Sequence, residues 1–302
     1  VGNNDYGAVH GIRVAKGERC GVVRVDLGTL ENCVIVGNAI RHNSPQKVGG
    51  VWRNGGGYVK NCIMLENGLG ADDWAHVNGS AYTCCLSTDT GTMKTSVDGD
   101  WNDIVAKPGE LPWLPHGSRA IGAGVGGADI GRIWTPASLK CAVKQDKRQY
   151  TGAATANLIA LASAEATFAW TLVSGAATLT PDGKNATLAF DGPGTAVVRV
   201  TATSASETAT DEIAVVSTPA VYEVATAAEL EAAVDVAQDG AEIVLAIGDY
   251  VPTKTLVLKH AVTVRGATGN RYDVAVSGNN ARRVFTIDHP GAVISSLTVK
   301  NG

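Results

Sequence analysis

One short pattern occurs twice in the chain and restricts the folds open to it. It reads LENCVIVGNAI at residues 30–40 and VKNCIMLENGL at residues 59–69, and TCCLSTDTGT at residues 83–92 is a weaker third copy. Each full copy has a turn, an Asn-Cys pair, an alternating apolar run and a second Asn. Short β runs that repeat every 20–30 residues or so, with polar corners, predict a β-solenoid whose stacked coils share one core.

The cysteines of this pattern are predicted to stack inside the solenoid. Cys33 and Cys62 occupy the same repeat position, where buried thiols acting as small apolar side chains are favoured over a disulfide framework. The six cysteines, at positions 20, 33, 62, 84, 85 and 141, include no CxxC pair and no histidine at zinc-finger spacing. A metal site built on cysteine is therefore not expected.

Composition favours short strands joined by tight turns. The 302 residues include 36 Gly but only 3 Phe, and the abundant Val and Thr are strand formers. A formal net charge of −4 gives no field that attracts nucleic acid or acidic lipid. No apolar run reaches membrane-spanning length, so neither a nucleic-acid partner nor a membrane span is expected.

Residues 220–302 are predicted to be the N-terminal cap and first coils of a β-helix. Thr226 and Glu229 have capping-box spacing, and Gly240 is a helix stop, which predicts one short helix near 226–239. Its apolar stripe consists of Leu230, Ala233, Val234 and Ala237. Several strand-like runs follow, and a helix in this place would cover a coil end that is otherwise exposed.

Residues 137–219 have a different character. Alternating apolar and polar residues run between the turn sequences SG, PDGKN and DGPG. About seven short strands in roughly 80 residues predict a β-sandwich. The predicted division is therefore 1–136 for later coils and closure, 137–219 for the sandwich, and 220–302 for the cap and first coils.

Three parts of the chain resemble known families. The run VATAAELEAAVDVAQDGAEIVLAIGDY followed by LVLKHAVTVRG resembles the opening of right-handed parallel β-helix proteins of the pectate-lyase-like superfamily. LPHGSRAIGAGVGGADIGRIW at 114–134 is similar to the segment that closes many such helices, and GGVWRNGGGYVKNCIMLENG resembles coils of bacterial surface β-helix proteins. The middle segment resembles bacterial immunoglobulin-like modules, which implies that Trp170 is a buried aromatic. The implied fold is all-β, with a right-handed β-helix split between the two chain ends.

The order of these parts predicts a permuted unit whose helix continues from residue 302 into residue 1. VISSLTVKNG at 293–302 matches the internal copy, with Val293 placed on Val59 and Ser296 on Cys62. A bare coil end would be covered by the next copy in a longer polypeptide, by a second subunit, or by the chain's own other half; the first two are favoured. The junction residues are predicted to be Ser296, Leu297, Val299, Asn301 and Gly302 with Val1, Val9, Ile12 and Val14.

Acidic and basic residues offer only weak candidates for chemistry. Asp98, Asp100 and Asp103 could bind calcium, but the twelfth loop position is Gly109 rather than Glu, so a solvated turn is favoured. Asp72 and Asp73 could act as a carboxylate pair on a polysaccharide, yet no second pair recurs. The basic residues Arg265, Arg282 and Arg283 could contact acidic sugar from a coil exterior, but solvated charges are favoured. No catalytic residue and no cofactor is assigned, with calcium retained as the one possible ion.

Four tryptophans lie in the predicted later coils and could stack on sugar rings, although burial under long loops is favoured. They are Trp52, Trp74, Trp101 and Trp113.

The first hypothesis is a structural or adhesive repeat unit of a large extracellular bacterial protein. It would assemble with itself, head to tail, through the 302/1 junction. The alternatives are a polysaccharide lyase or hydrolase and a glycan-binding module without activity.

Overall fold

The computed structural model describes residues 23–25, 27–36, 51–53, 56–65, 82–87, 95–107, 110–131 and 136–302. Within these residues the fold is all-β with one α-helix, as predicted. The chain forms two compact units: the first contains the described residues up to Ala142 with Leu161–Ala166 and Ala202–Ala209, and the second contains Val143–Ala160, Thr167–Thr201 and Thr210–Gly302. Both units take residues from 137–219, so the three-way division remains a prediction.

The first part of the chain forms stacked parallel coils. Its strands are β1 (Val23–Val25), β2 (Thr29–Glu31), β3 (Val34–Val36), β4 (Val51–Arg53), β5 (Tyr58–Lys60), β6 (Ile63–Leu65), β7 (Tyr82–Thr83), β8 (Leu86–Ser87) and β9 (Val97–Asp98). They make three sheets in the orders β1-β4, β2-β5-β7 and β3-β6-β8-β9. Neighbouring strands in these sheets run parallel to one another. The predicted solenoid is therefore confirmed for the described coils, including the weaker third copy.

The alternation of side chains along each strand explains why β6 is buried on both faces. Met64 points inward and joins a core with Val59 and Cys62. Its neighbours Ile63 and Leu65 point the other way, into a second cluster that includes Ala120 and Ile130 from the loop segment 114–131. This segment therefore packs on the outer face of the coils, and its role in closing the helix stays a prediction.

A column of left-handed residues forms one corner of these coils. Asn32, Asn61, Cys84 and Thr95 have φ values of 56, 51, 50 and 57 degrees. Asn61 donates a hydrogen bond from Nδ2 to Oδ1 of Asn32 at 3.2 Å. Its own Oδ1 accepts from the backbone N–H of Val125 at 2.9 Å. Asn tolerates this conformation better than other residues with a Cβ, so the column favours Asn at each position.

Replacing Cys84 by Asn is expected to raise the free energy of unfolding by about 0.5–1 kcal/mol, because Asn relieves the cost of a left-handed backbone. Urea denaturation of the reduced protein measures the change. Cys33→Asn is the matched control, since Cys33 is also a half-buried thiol beside this corner but has no positive φ. A Cys84→Asn variant no more stable than the parent protein would contradict the role of this corner.

The middle of the chain forms two four-stranded sheets. Their strands are β10 (Cys141–Gln145), β11 (Tyr150–Thr151), β12 (Ala154–Ala162), β13 (Thr167–Ser174), β14 (Thr178–Asp182), β15 (Asn185–Phe190), β16 (Gly194–Thr203) and β17 (Thr208–Thr218). The orders are β10-β12-β15-β14 and β11-β17-β16-β13. Buried and exposed residues alternate along β15 and β16, so these strands each bury one face.

The prediction for Trp170 is wrong. Trp170 is only half-buried on β13, where its neighbours are exposed, and its indole N–H donates to the carbonyl oxygen of Gly183 at 3.0 Å. Tyr150 and Phe190 are the buried aromatics of this segment. The immunoglobulin-like identity of the two sheets remains a prediction.

The last part of the chain again forms parallel coils. It contains β18 (Val221–Val224), α1 (Ala227–Val236), β19 (Glu242–Leu245), β20 (Gly248–Tyr250), β21 (Leu256–Leu258), β22 (Thr263–Gly266), β23 (Val274–Ser277), β24 (Phe285–Ile287), β25 (Val293–Ser295) and β26 (Thr298–Lys300). The sheets have the orders β18-β19-β22-β25, β20-β23-β26 and β21-β24. All the strand pairs within them are parallel.

The helix α1 begins with the predicted capping box. Thr226 Oγ1 accepts from the N–H of Glu229, whose carboxylate accepts from the N–H of Thr226. Its apolar side, with Leu230 fully buried, packs on the core of the coils. The helix ends at Val236, earlier than predicted, and Gly240 with φ 84 instead forms the turn before β19. Across the described ranges, no helix is long and apolar enough to cross a bilayer.

Candidate assembly surface

The outer side of the last coil is formed by β24, β25 and β26. Each of these strands is the last in the order of its sheet. Ile287 is in register with Leu258, and Val299 is in register with Val276. In parallel sheets, register partners point to the same side. Because Leu258 and Val276 belong to the buried core, Ile287 and Val299 are inward-facing positions of the last coil.

The inward-facing residues of this coil are nevertheless accessible to solvent. Ile287 is 56% exposed and Val299 is 51% exposed, whereas their partners one coil earlier are buried. Leu297 and Ile294, also on this coil, are only partly buried against the same core. We call Ile287, Ile294, Leu297 and Val299 the coil-end surface. It is an apolar face of the kind that the other coils cover by stacking.

The predicted match between this coil and the internal copy is wrong by one residue. The left-handed corners Ser296 and Asn61, with φ 53 and 51 degrees, are structurally equivalent. This equivalence places Ile294, rather than Val293, in the position of Val59. Val293 is 47% exposed while Val59 is fully buried. A slip of one residue exchanges the two faces of a strand, so the apolar residues that continue the core are Ile294, Leu297 and Val299.

Backbone contacts hold the end of the last coil close to the coil beneath it. Gly278 donates its N–H to the carbonyl oxygen of Lys300 at 3.0 Å, and Asn280 donates to that of Asn301 at 2.8 Å. Asn301 has φ 53 degrees, and its carbonyl oxygen lies 2.6 Å from the place where Gly278 would carry a Cβ atom. The predicted junction residues 296–302 thus form a tightly stacked end; Val1, Val9, Ile12 and Val14 lie outside the described residues.

The three aspartates predicted as calcium candidates have a different arrangement. Asp100 caps a short 3₁₀ helix at Trp101–Asp103, where its Oδ1 accepts from the N–H of Asn102 at 2.7 Å. The carboxylate of Asp103 is buried and accepts from the Asp100 N–H, the Arg119 N–H and Arg119 Nε at 2.8–2.9 Å. Arg119 also pairs with Asp100 at 2.7 Å. We call Asp100, Asp103 and Arg119 the acidic turn.

The carboxylates of the acidic turn accept hydrogen bonds from donors within the protein. Burial alone would raise the pKa of Asp103, but hydrogen bonds from the side chain and backbone of Arg119 and from the Asp100 amide hold it below its usual value. Asp98 lies at the exposed end of β9. Among the described residues, no group of three His, Cys, Asp or Glu side chains is arranged to hold a metal. Binding of calcium remains a prediction with no support from this geometry.

Most of the remaining chemical candidates lie outside the part of the chain that the structure describes. Asp72, Asp73 and Trp74 lie outside the described residues, as does the side chain of Trp52 on β4. Trp101 is half-buried at the start of the 3₁₀ helix, and Trp113 is fully buried.

The basic candidates make contacts within the protein. Arg265 is paired with Glu242 at 3.0 Å, and Arg282 Nη1 donates to the Pro252 carbonyl oxygen. Stacking of the tryptophans on sugar rings and contact of the arginines with acidic sugar both stay predictions.

Comparison with known proteins gives little. No family model matches the chain, and no curated protein matches it. Among solved structures, a PL6-family alginate lyase, AlyGC, matches with a TM-score of 0.22 and 12% identity over 91% of this chain and 30% of that one. A single-residue mutant of the same enzyme matches with a TM-score of 0.19 and 13% identity over 92% and 34%. The chain thus spans about a third of the length of these lyases. Similarity at this level carries no argument about the fold, so the all-β class of the chain is based on its own strand pairing.

Proposed function

We propose that this protein is a structural unit that lengthens a parallel β-helix, in which a second copy of the chain stacks its first coil on the coil-end surface. The observation that carries the proposal is the exposure of Ile287 and Val299 directly above buried core residues. A stacked coil would bury both side chains and pair the last strand of each sheet. Burial of apolar area at about 25 cal/mol per Å² favours that contact.

The segment that would supply the incoming coil is the start of the second copy. Its sequence, VGNNDYGAVHGIRV, offers the apolar residues Val9, Ile12 and Val14 for strand pairing and continuity of the core. Such a contact is heterologous, because one surface of the chain meets a different surface of the next. Repetition gives a fibre or an array rather than a closed pair. An extracellular bacterial surface is the setting in which we place this assembly.

The double substitution Ile287→Asp and Val299→Asp tests the proposal. Two carboxylates on the coil-end surface would have to be desolvated by an incoming coil, which costs several kcal/mol. The fraction of assembled material is expected to fall at least about tenfold. Sedimentation velocity over a range of protein concentrations measures the assembled fraction, and negative-stain electron microscopy shows its form.

Val173→Asp is the matched control, because Val173 is 43% exposed on a strand of the middle segment. It is expected to leave assembly unchanged. Circular dichroism and thermal melts establish that both variants keep the fold. A parent protein that remains a monomer at all concentrations would refute the proposal, and so would assembly that survives the double substitution.

A further inference from the structure

Three cysteine thiols form a column along the stacked coils of the first unit. Cys33, Cys62 and Cys85 each directly precede a strand of one sheet, and the register of β3, β6 and β8 places them one above another. Each thiol lies within hydrogen-bonding distance of the carbonyl oxygen two residues before it, at 3.2 Å for Cys33 and Cys62 and at 3.6 Å for Cys85. All three are free thiols in this structure. The predicted stacking of Cys33 on Cys62 is thus confirmed, and Cys85 extends it by one coil.

The three thiols differ in their access to solvent. Cys62 and Cys85 are fully buried, whereas Cys33 is half-buried. A dissolved reagent therefore reaches Cys33 first. Burial raises the pKa of the Cys33 thiol, and the neighbouring Cys62 raises it further. Because the thiolate is the reactive form, the reaction of Cys33 is expected to be slow near neutral pH and faster in alkaline solution.

We propose that Cys33 is a modification site for low-molecular-weight disulfides and that Cys62 converts its adduct into a disulfide between neighbouring coils. In the first step, the Cys33 thiolate attacks one sulfur of oxidised glutathione; a mixed disulfide forms, and one glutathione thiolate leaves. In the second step, the Cys62 thiol, whose pKa is raised by its neighbour Cys85 and by burial, loses its proton in alkaline solution. Its thiolate then attacks the Cys33 sulfur and releases the second glutathione. Two protein thiols are oxidised, and one glutathione disulfide is reduced to two thiols.

The general spacing of adjacent parallel strands suits a disulfide between cysteines stacked on successive coils. Register partners on adjacent parallel strands have Cα atoms about 4.8 Å apart. Disulfide-bonded cysteines have Cα separations of about 4.4–6.8 Å. The bond would join two successive coils at the start of β3 and β6, beside the hydrogen bond between the corner residues Asn32 and Asn61.

The test is incubation of the reduced full chain with oxidised glutathione at pH 8.5, followed by alkylation of free thiols, trypsin digestion and mass spectrometry without reductant. Trypsin yields one peptide of residues 25–41 containing Cys33 and another of residues 61–94 containing Cys62, Cys84 and Cys85. We expect these two peptides to appear joined, with the loss of two thiols per chain, and to separate on addition of dithiothreitol.

Three variants identify the partner of Cys33. Cys62→Ser is expected to abolish the joined peptides and to accumulate the glutathione adduct on Cys33, while Cys84→Ser and Cys85→Ser retain the joined peptides. Cys33→Ser, a change at the half-buried position, is expected to abolish both adduct and bridge even if Cys62→Ser impairs folding. A stable adduct on Cys33 in the parent protein, no reaction at Cys33, or a bridge that depends on Cys84 or Cys85 would each overturn the proposal.

Discussion

Replacing Gly278 by Ala is expected to lower the free energy of unfolding by about 2–3 kcal/mol and to loosen the last coil. The added methyl group would overlap the carbonyl oxygen of Arg282, lie 2.6 Å from that of Asn301 and lie 2.9 Å from Cα of Gly302. All three are backbone atoms, so no side-chain rotation relieves the overlap. The backbone must shift, and the hydrogen bond from the Gly278 N–H to Lys300 is then lost or lengthened.

Urea denaturation measures the stability change, and hydrogen exchange locates it. Amide protection is expected to fall first in residues 278–302, because the contacts between the last two coils are the ones disturbed. Gly192→Ala is the matched control, since a methyl group there meets open space. Equal stability of the two variants would contradict the close stacking of the last coil. Loss of assembly in Gly278→Ala alone would further connect that stacking to the coil-end surface.

Replacing Asp103 by Ala is expected to destabilise the first unit by about 2–4 kcal/mol. The substitution removes the acceptor of three hydrogen bonds, so the partly buried amide N–H groups of Asp100 and Arg119 lose their partner. Hydrogen bonds to a charged group contribute about 1.5–3 kcal/mol each, although the solvent exposure of Arg119 reduces its share. Chemical denaturation measures the loss, and Glu110→Ala, at an exposed residue of the same region, is the control.

The same residue predicts a pH dependence with a definite sign. The pKa of Asp103 is lowered in the folded protein, so its contribution is fully present above its unfolded value of about 3.9. The contribution is lost as the pH falls below that value and through the folded pKa. Asp146 also has a lowered pKa, so the decisive quantity is the difference between the parent protein and Asp103→Asn. That difference is expected to shrink between pH 5 and pH 2; a constant difference would contradict the charged role of Asp103.

The solenoid was predictable because its signal repeats locally. The Asn-Cys pair marks a left-handed corner followed by an inward thiol, and the structure places Asn61 on Asn32 in that way. The register of the last coil was not predictable from the apolar pattern. VIS at 293–295 has apolar side chains at two successive positions, so alternation alone does not decide which points inward. The left-handed corner at Ser296 sets the register of the last coil. A serine does not indicate such a corner in the sequence as the Asn of the Asn-Cys pair does.

The acidic turn shows a second limit of the sequence. Three aspartates in six residues favoured a solvated turn, with calcium as a weak candidate, whereas the charge that pairs with Asp100 and Asp103 comes from Arg119, which is distant in the chain. The capping box of α1 involves residues three apart and was predicted correctly. Local pairings are thus readable from spacing, while pairings across a fold require the backbone path that brings the partners together.

The helix α1 gives the last part of the chain two chemically different ends. Leu230 and Ala233 seal the core near β18 and β21, the first strands of their sheets, whereas the opposite end presents bare aliphatic side chains. Under the proposed function, the end covered by the helix cannot stack on another coil, whereas the end with the coil-end surface can. Growth would then have a direction, because every copy would join with its coil-end surface facing the same way and only the last copy would leave that surface exposed.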